Sequence, residues 1–231
     1  MTNPLRDILR ILFPPTCYHC GKELVSGERY LCMDCQLNLP ITHNAHIPGN
    51  ETELRVGGRI PVEAGASLLY YQKGMVSREL LHHIKYYGHY KMATDYGAML
   101  GIELSKSGRF EQVDYLVPVP LHWYKKWQRG YNQSEYICKG IQKHFERPIC
   151  SDVLYRKRYT RTQTHKSHEK RMDNMADVFG VRNNSKLENK HILLVDDVIT
   201  SGATTDACWS ALKTTPGIHI SIASLAIATS H

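Results

Sequence analysis

Apolar residues recur along the chain with two periods, and the changes of period mark the elements. Met92, Tyr96, Met99, Leu100 and Leu104 fall at helical spacing and predict a helix. Val76 to Tyr86 reads as an earlier helix, broken at Gly88. Tyr136, Ile137, Ile141 and Phe145 mark a later one, which follows the loop Arg129-Gly130-Tyr131-Asn132-Gln133 and ends before Pro148. Thr204 to Thr215 is helix-like and is ended by Pro216-Gly217. Near the N-terminus Leu5, Ile8, Leu9 and Leu12 share one face of a short helix that Pro14-Pro15 stops.

Between the helices lie apolar stretches of strand length: Val62 to Tyr71, Asp114 to Val119, Ile149 to Leu154, Val178 to Val181, His191 to Val195 and Ile218 to Ala228. The run from His191 to Val195 ends in consecutive apolar residues, as expected of a central strand buried on both faces. Strands alternating with helices predict an α/β fold, a parallel sheet with helices on both faces. Residues 50–66, with Gly57-Gly58, Pro61 and Gly65, read as a linker or hairpin. The expected division is a small N-terminal module over residues 1–50 and an α/β domain over 51–231.

Composition sharpens this only a little. The chain has 231 residues, 42% of them hydrophobic, which is enough for a packed core and excludes wholesale disorder. A net charge of +7 favours anionic partners, or serves solubility alone. No segment approaches the roughly 20 apolar residues of a membrane span. A cytoplasmic protein is expected.

Cysteine placement says more. Cys17 and Cys20 form one C-x-x-C pair, and Cys32 and Cys35 form a second. Two such knuckles supply four thiolates for a tetrahedral ion, with structural zinc the default. The remaining cysteines, Cys138, Cys150 and Cys208, are scattered. That pattern argues for an intracellular metal site and against a disulfide framework. His82, His83 and His89 read as surface or packing residues.

The richest segment is Ile192 to Thr205. Four apolar residues lead into Asp196-Asp197, and the small, hydroxyl-rich loop Thr200-Ser201-Gly202-Ala203-Thr204 then opens a helix. Ligands of open α/β sheets bind outside the carboxyl ends of the strands. Gly202 lets backbone approach a ligand, and the free N–H groups of the helix start attract an anion. Carboxylates beside such a cradle accept hydrogen bonds from sugar hydroxyls. A sugar phosphate satisfies both halves.

This string resembles the phosphoribosyl pyrophosphate (PRPP) motif of type I phosphoribosyltransferases. The resemblance implies that Asp196 and Asp197 hold the ribose hydroxyls and that Thr200, Ser201, Gly202, Ala203 and Thr204 hold the 5-phosphate, with Mg2+ accompanying PRPP. Val117 to Glu135 resembles the signature of the ComF family, as does the later pattern of Arg158, Thr160, Gln163, Arg171, Asn174 and Phe179. ComF-type proteins are phosphoribosyltransferase-like and are linked to DNA uptake in natural transformation.

In type I enzymes an earlier strand-end loop, often rich in glycine, contacts pyrophosphate. Here Pro118 to His122 stand in that place without glycine, and Lys125, Lys126 and Arg129 follow. Lys125, Lys126 and Arg129 either supply the missing charge or belong to a solvated basic loop. Residues 156–171 resemble the flexible loop that closes over PRPP, and carry Arg156, Lys157, Arg158, Arg161, Lys166, Lys170 and Arg171 against Glu169. Arginines there could neutralise pyrophosphate or track a nucleic-acid backbone, with Tyr155 and Tyr159 stacking on bases. Two functions follow: a PRPP-dependent phosphoribosyltransferase, a glycosyltransferase acting on a nitrogen acceptor, and a non-catalytic, nucleotide-responsive adaptor. The adaptor would bind single-stranded DNA or a competence protein such as a helicase-like partner.

Overall fold

A computed structural model describes residues 14–157 and 178–229. The helix expected over Leu5–Leu12 and most of the basic segment, from Arg158 onward, lie outside the described residues. In chain order the elements are α1 (Met33–Leu37), α2 (Glu51–Gly57), β1 (Val62–Tyr71), α3 (Val76–Tyr86), α4 (Tyr90–Ser107), β2 (Tyr115–Pro118), α5 (Trp123–Arg129), α6 (Gln133–Ile141), β3 (Leu154–Arg156), β4 (Phe179–Val181), β5 (His191–Ile199), α7 (Ala203–Leu212) and β6 (His219–Ala228).

Four strands form a parallel sheet in the order β1-β6-β5-β2. β5 is interior, and its side chains alternate between faces as the strand period requires. Leu193 and Val195 join Leu80, Met92, Leu100, Ile137 and Ile141, from α3, α4 and α6, on one face. Ile192 and Leu194 join Val117, Ile222, Cys208 and Leu212 on the face that α7 covers. Each such fully buried aliphatic side chain contributes about 2 kcal/mol of transfer free energy.

Helix α4 meets α6 backbone to backbone. Gly97 and Gly101, one helical turn apart, face Ile137 and Ile141, and Gly140 faces Thr94 and Gly97; a Cβ at any of the three would overlap main-chain atoms. This contact seats α6 against the sheet and presents its first residue, Gln133, at the carboxyl end of β5.

Three expectations need correction. Residues 50–66 contain the helix α2, because Asn50 caps it. Its side chain accepts from Thr52 N and Glu53 N, and Glu53 accepts from Gly49 N at 2.7 Å. Asn50 is an N-cap of the kind that starts helices, and Glu53 holds the residue before it. The strand expected over Ile149–Leu154 does not join the sheet as a strand. Ile149 makes one bridge to Leu116, and β3 instead pairs antiparallel with β4 in a separate two-stranded ribbon. The stretch after Pro118 is not a loop throughout, since α5 begins at Trp123 with the His122 ring accepting from Tyr124 N.

The N-terminal module packs on α3 and α4, and its last residues reach the sheet edge, where Ile41 bridges antiparallel to Leu69 of β1. The Tyr18 ring stacks on His83 with centroids 4.0 Å apart. Arg29 and Tyr30 both donate to the Asp95 carboxylate, at 2.8 and 2.9 Å.

Candidate functional site

Adjacent residues in a strand point to opposite faces, and this decides the surroundings of Asp196 and Asp197. Both lie within β5, which runs four residues further than the apolar pattern indicated. Asp197 shares the parity of Leu193 and Val195 and so meets α3 and α6. Lys85 Nζ, at the end of α3, lies 2.9 Å from Asp197 Oδ1, and Gln133 Nε2 donates to Oδ2 at 2.5 Å. Asp196 shares the parity of Ile192 and Leu194, and feels Arg156 and the α7 residue Cys208. Its Oδ1 accepts from Asp197 N at 2.8 Å.

Because β5 ends just beyond, both carboxylates still border one cleft of about 210 Å3. The cleft is also lined by Lys85, Lys125, Arg129, Gln133 and Arg156, by Val119 to Leu121 after β2, and by Thr200 and Thr204. Four cations thus surround two carboxylates. Burial and the Asp197 carboxylate push the Asp196 carboxyl up to about 7. Burial works against the charge on Lys85, but Asp197 and Asp196 outweigh it and raise its pKa. Burial, then Arg156 and Arg129, lower that of Lys125. The cations repel one another, and an anionic ligand relieves that repulsion.

The segment Arg129 to Gln133 has a use for every residue. Gly130 ends α5 at φ 79°, a left-handed conformation that suits glycine. Tyr131 OH donates to the Ile84 carbonyl of α3, one residue before Lys85. Asn132 donates to Val119 O at 3.1 Å and caps α6 by accepting from Ser134 N. Arg129 donates to Gln133 Oε1 at 3.1 Å, and Gln133 in turn holds Asp197. The loop therefore fastens β2, α3 and α6 around the carboxylate.

The structure brings most of the expected site residues together. Asp196, Asp197, Lys125, Arg129, Thr200 and Thr204 line the cleft. Gly202 precedes α7 at φ 78°, Ala203 is its first residue, and Ser201 turns its carbonyl to Arg59. Lys125 and Arg129 are four residues apart and share a helix face, whereas Lys126 leaves the cleft to pair with Glu135 at 3.1 Å. The sequence reading missed Lys85 and Gln133. Lys85 sat in plain view among the histidines of α3, and Gln133 closed the loop before α6.

In the N-terminal module, Cys17, Cys20, Cys32 and Cys35 place their sulfurs within 4.8 Å of one another, and the Sγ atoms of Cys20 and Cys32 lie 3.6 Å apart. A tetrahedral zinc with bonds of about 2.3 Å requires sulfur separations of about 3.8 Å, so the four thiolates fit it. Cys138, Cys150 and Cys208 are buried elsewhere. His83 and His89 pack on Tyr18 and take no part in the cysteine cluster.

Residues 134–228 match the phosphoribosyl transferase domain family, and residues 8–45 match the double zinc ribbon domain family. Competence protein F of Haemophilus influenzae is 24% identical over 203 residues, which span 86% of this chain and 79% of that protein. DNA utilization protein YhgH of Escherichia coli is 26% identical over 206 residues, 83% of this chain and 87% of that protein. Both proteins are homologues of this chain over most of its length. The chain has a parallel sheet flanked by helices, with a phosphoribosyl transferase domain match over its later part, and an N-terminal four-cysteine cluster inside the double zinc ribbon match. Among solved structures, glutamine PRPP amidotransferase from B. subtilis aligns at 21% identity and a TM-score of 0.37, over 56% of this chain and a quarter (25%) of that protein. Among the described residues no helix is long and apolar enough to cross a membrane.

Proposed function

We propose that this ComF-type chain binds PRPP, or a closely related ribose phosphate, and serves as a phosphoribosyltransferase-like protein in DNA uptake. The supporting observation is the pairing of Asp196 and Asp197 with Lys85, Lys125, Arg129 and Arg156 around one cleft at the carboxyl end of β5. The carboxylates suit ribose hydroxyls. The loop from Thr200 to Thr204 suits the 5-phosphate at the start of α7. Lys125, Arg129 and Arg156 suit pyrophosphate and take the role that a glycine-rich loop plays in type I enzymes.

Mg2+ fits this site together with its ligand and not before it. It takes oxygen ligands and is commonly held by one or two carboxylates plus substrate phosphates. Both Asp197 oxygens are already engaged by Lys85 and Gln133, and the surrounding cations oppose a bare divalent ion. With PRPP bound, Asp196 would help hold the ion, which would supply charge stabilisation for the leaving group.

In the transfer reaction a nitrogen lone pair attacks the anomeric carbon as the bond to pyrophosphate breaks. The bonding electrons leave with pyrophosphate, and the nitrogen releases its proton to solvent. The protein's part is positioning and charge stabilisation. Pyrophosphate release from PRPP, assayed across a panel of nitrogen acceptors, tests this step. Tight PRPP binding with no release under any acceptor would leave a binding protein and remove the transferase.

One observation favours the adaptor reading beside it. On α5, Trp123 and Trp127 are 71% and 78% exposed and alternate with Lys125, Lys126 and Arg129. Exposed Tyr86 lies under the Arg129 guanidinium, 5.1 Å away. Aromatic faces interleaved with cations suit single-stranded nucleic acid.

A further inference from the structure

We infer that α2 and the turn that follows it are a positioning element for the 5-phosphate loop, in which Arg55 and Arg59 set the direction of the loop's backbone amides. The inference rests on the ribose-phosphate reading above. Arg55 Nη1 donates to the Thr200 carbonyl at 2.5 Å, and its Nη2 donates to the Ala228 carbonyl at the end of β6 at 2.8 Å. Arg59 Nη2 donates to the Ser201 carbonyl at 2.6 Å. Two successive carbonyls of the loop are thus held against the same helix end.

The consequence follows from peptide geometry. No described peptide bond is cis. In a trans peptide the carbonyl oxygen and the following N–H point to opposite sides. Drawing the Thr200 and Ser201 oxygens to α2 therefore turns the N–H groups of Ser201 and Gly202 the other way, toward the side where Thr200 and Thr204 border the cleft. Consecutive amides aimed in one direction at a helix start make an anion cradle. The arginines shape that cradle from behind and touch no substrate.

Gly202 shows how close the two elements lie. Its φ is 78°, and a Cβ there would come within 3.1 Å of both Arg59 Nη2 and Val56 Cγ1. The helix is itself anchored at its other end. Glu53 accepts from Arg109 Nη2 at 2.6 Å and from Gly65 N at 2.9 Å, while Asn50 donates to Gly65 O at 2.8 Å. Thr52 shares a hydrogen bond with Ser67 of β1 at 2.8 Å. A strut fixed to β1 can hold the loop in one shape before any ligand arrives, which lowers the ordering cost of binding.

The test is calorimetry on the full zinc-loaded chain, with ribose 5-phosphate and inorganic pyrophosphate as separate probes. Ribose 5-phosphate reads the loop, and pyrophosphate reads the cations across the cleft. Arg59→Met is expected to weaken ribose 5-phosphate about tenfold and to leave pyrophosphate within about twofold of wild type, the effect of one lost charge-assisted hydrogen bond. Arg59→Lys should recover part of the loss. Unchanged ribose 5-phosphate affinity in Arg59→Met, or equal loss of both probes, would overturn the inference. Arg55→Met should behave like Arg59→Met, but Arg55 also ties β6. If that variant unfolds, Arg59→Met and Arg59→Lys still decide the matter. A wild type that binds no ribose 5-phosphate would refute the ribose-phosphate reading itself, and the clamp with it.

Discussion

Lys85 Nζ lies 2.9 Å from Asp197 Oδ1, and both side chains are largely withdrawn from solvent. The pair joins the end of α3 to the carboxyl end of β5. Removing one partner of such a pair leaves the other charge buried and uncompensated. Lys85→Met should therefore destabilise the fold by about 3 kcal/mol, read as a lowered denaturant midpoint. It should also weaken PRPP, because Asp197 loses the cation that orients it. A variant as stable as wild type with unchanged PRPP affinity would remove Lys85 from the site.

Asp196 makes ligand binding depend on pH. Its carboxyl is pushed up to about 7 by burial and by Asp197, with Lys85 and Arg156 acting in the opposite sense. A raised carboxyl pKa means that the folded state holds a proton which the unfolded chain releases above its ordinary value of 3.8. Stability from this group accordingly declines as pH rises from about 4 to about 7. Ribose and magnesium both favour the ionised form, so affinity for PRPP with Mg2+ should increase between about pH 6 and 8. Asp196→Asn should flatten the stability profile across the lower window and leave affinity low throughout. Affinity titrations at several pH values, paired with melting curves, check both signs.

Much of this arrangement is legible in local patterns, and the rest depends on contacts that sequence spacing does not encode. The run ending at Val195, the acid pair and the glycine-bearing loop are contiguous, so their chemistry can be read in one segment. The cysteine pairs are likewise self-contained. Lys85 and Gln133 reach Asp197 from distant parts of the chain, through the seating of α3 and α6, and sequence spacing pairs neither of them with it. Helix α2 is legible in its cap, with Asn50 placed before Glu51 and Glu53, but the glycines at 57 and 58 suggest a turn. The helical start at Trp123 was hidden by its bulky, polar composition, which buries no residue.

The zinc module should be a separable source of stability. One four-cysteine cluster occurs among the described residues, so about one zinc per chain is expected by elemental analysis. Cys17→Ser with Cys32→Ser should abolish it and lower the melting temperature, because Tyr18 then loses its fixed position on His83. Retention of a full equivalent of zinc by that variant would rule out these cysteines as the ligands.

The exposed face of α5 offers a clean separation of the two functional readings. Trp123→Ala and Trp127→Ala should each weaken single-stranded DNA by about 1–3 kcal/mol if bases stack there. PRPP affinity should stay near wild type, since neither ring lines the cleft. Fluorescence anisotropy with a labelled oligonucleotide measures the first effect. No change in DNA affinity would dismiss α5 as the contact surface.

The central claim is that the cleft at the end of β5 holds a phosphorylated ribose through its acid pair. Isothermal titration of the zinc-loaded protein with PRPP and Mg2+, alongside the Asp196→Asn/Asp197→Asn variant, tests it most directly. The account predicts saturable binding at one site by the wild type and loss of that binding in a variant that still melts cooperatively. Equal binding by both proteins, or none by a folded wild type, would contradict it and leave the exposed face of α5 as the better guide to function.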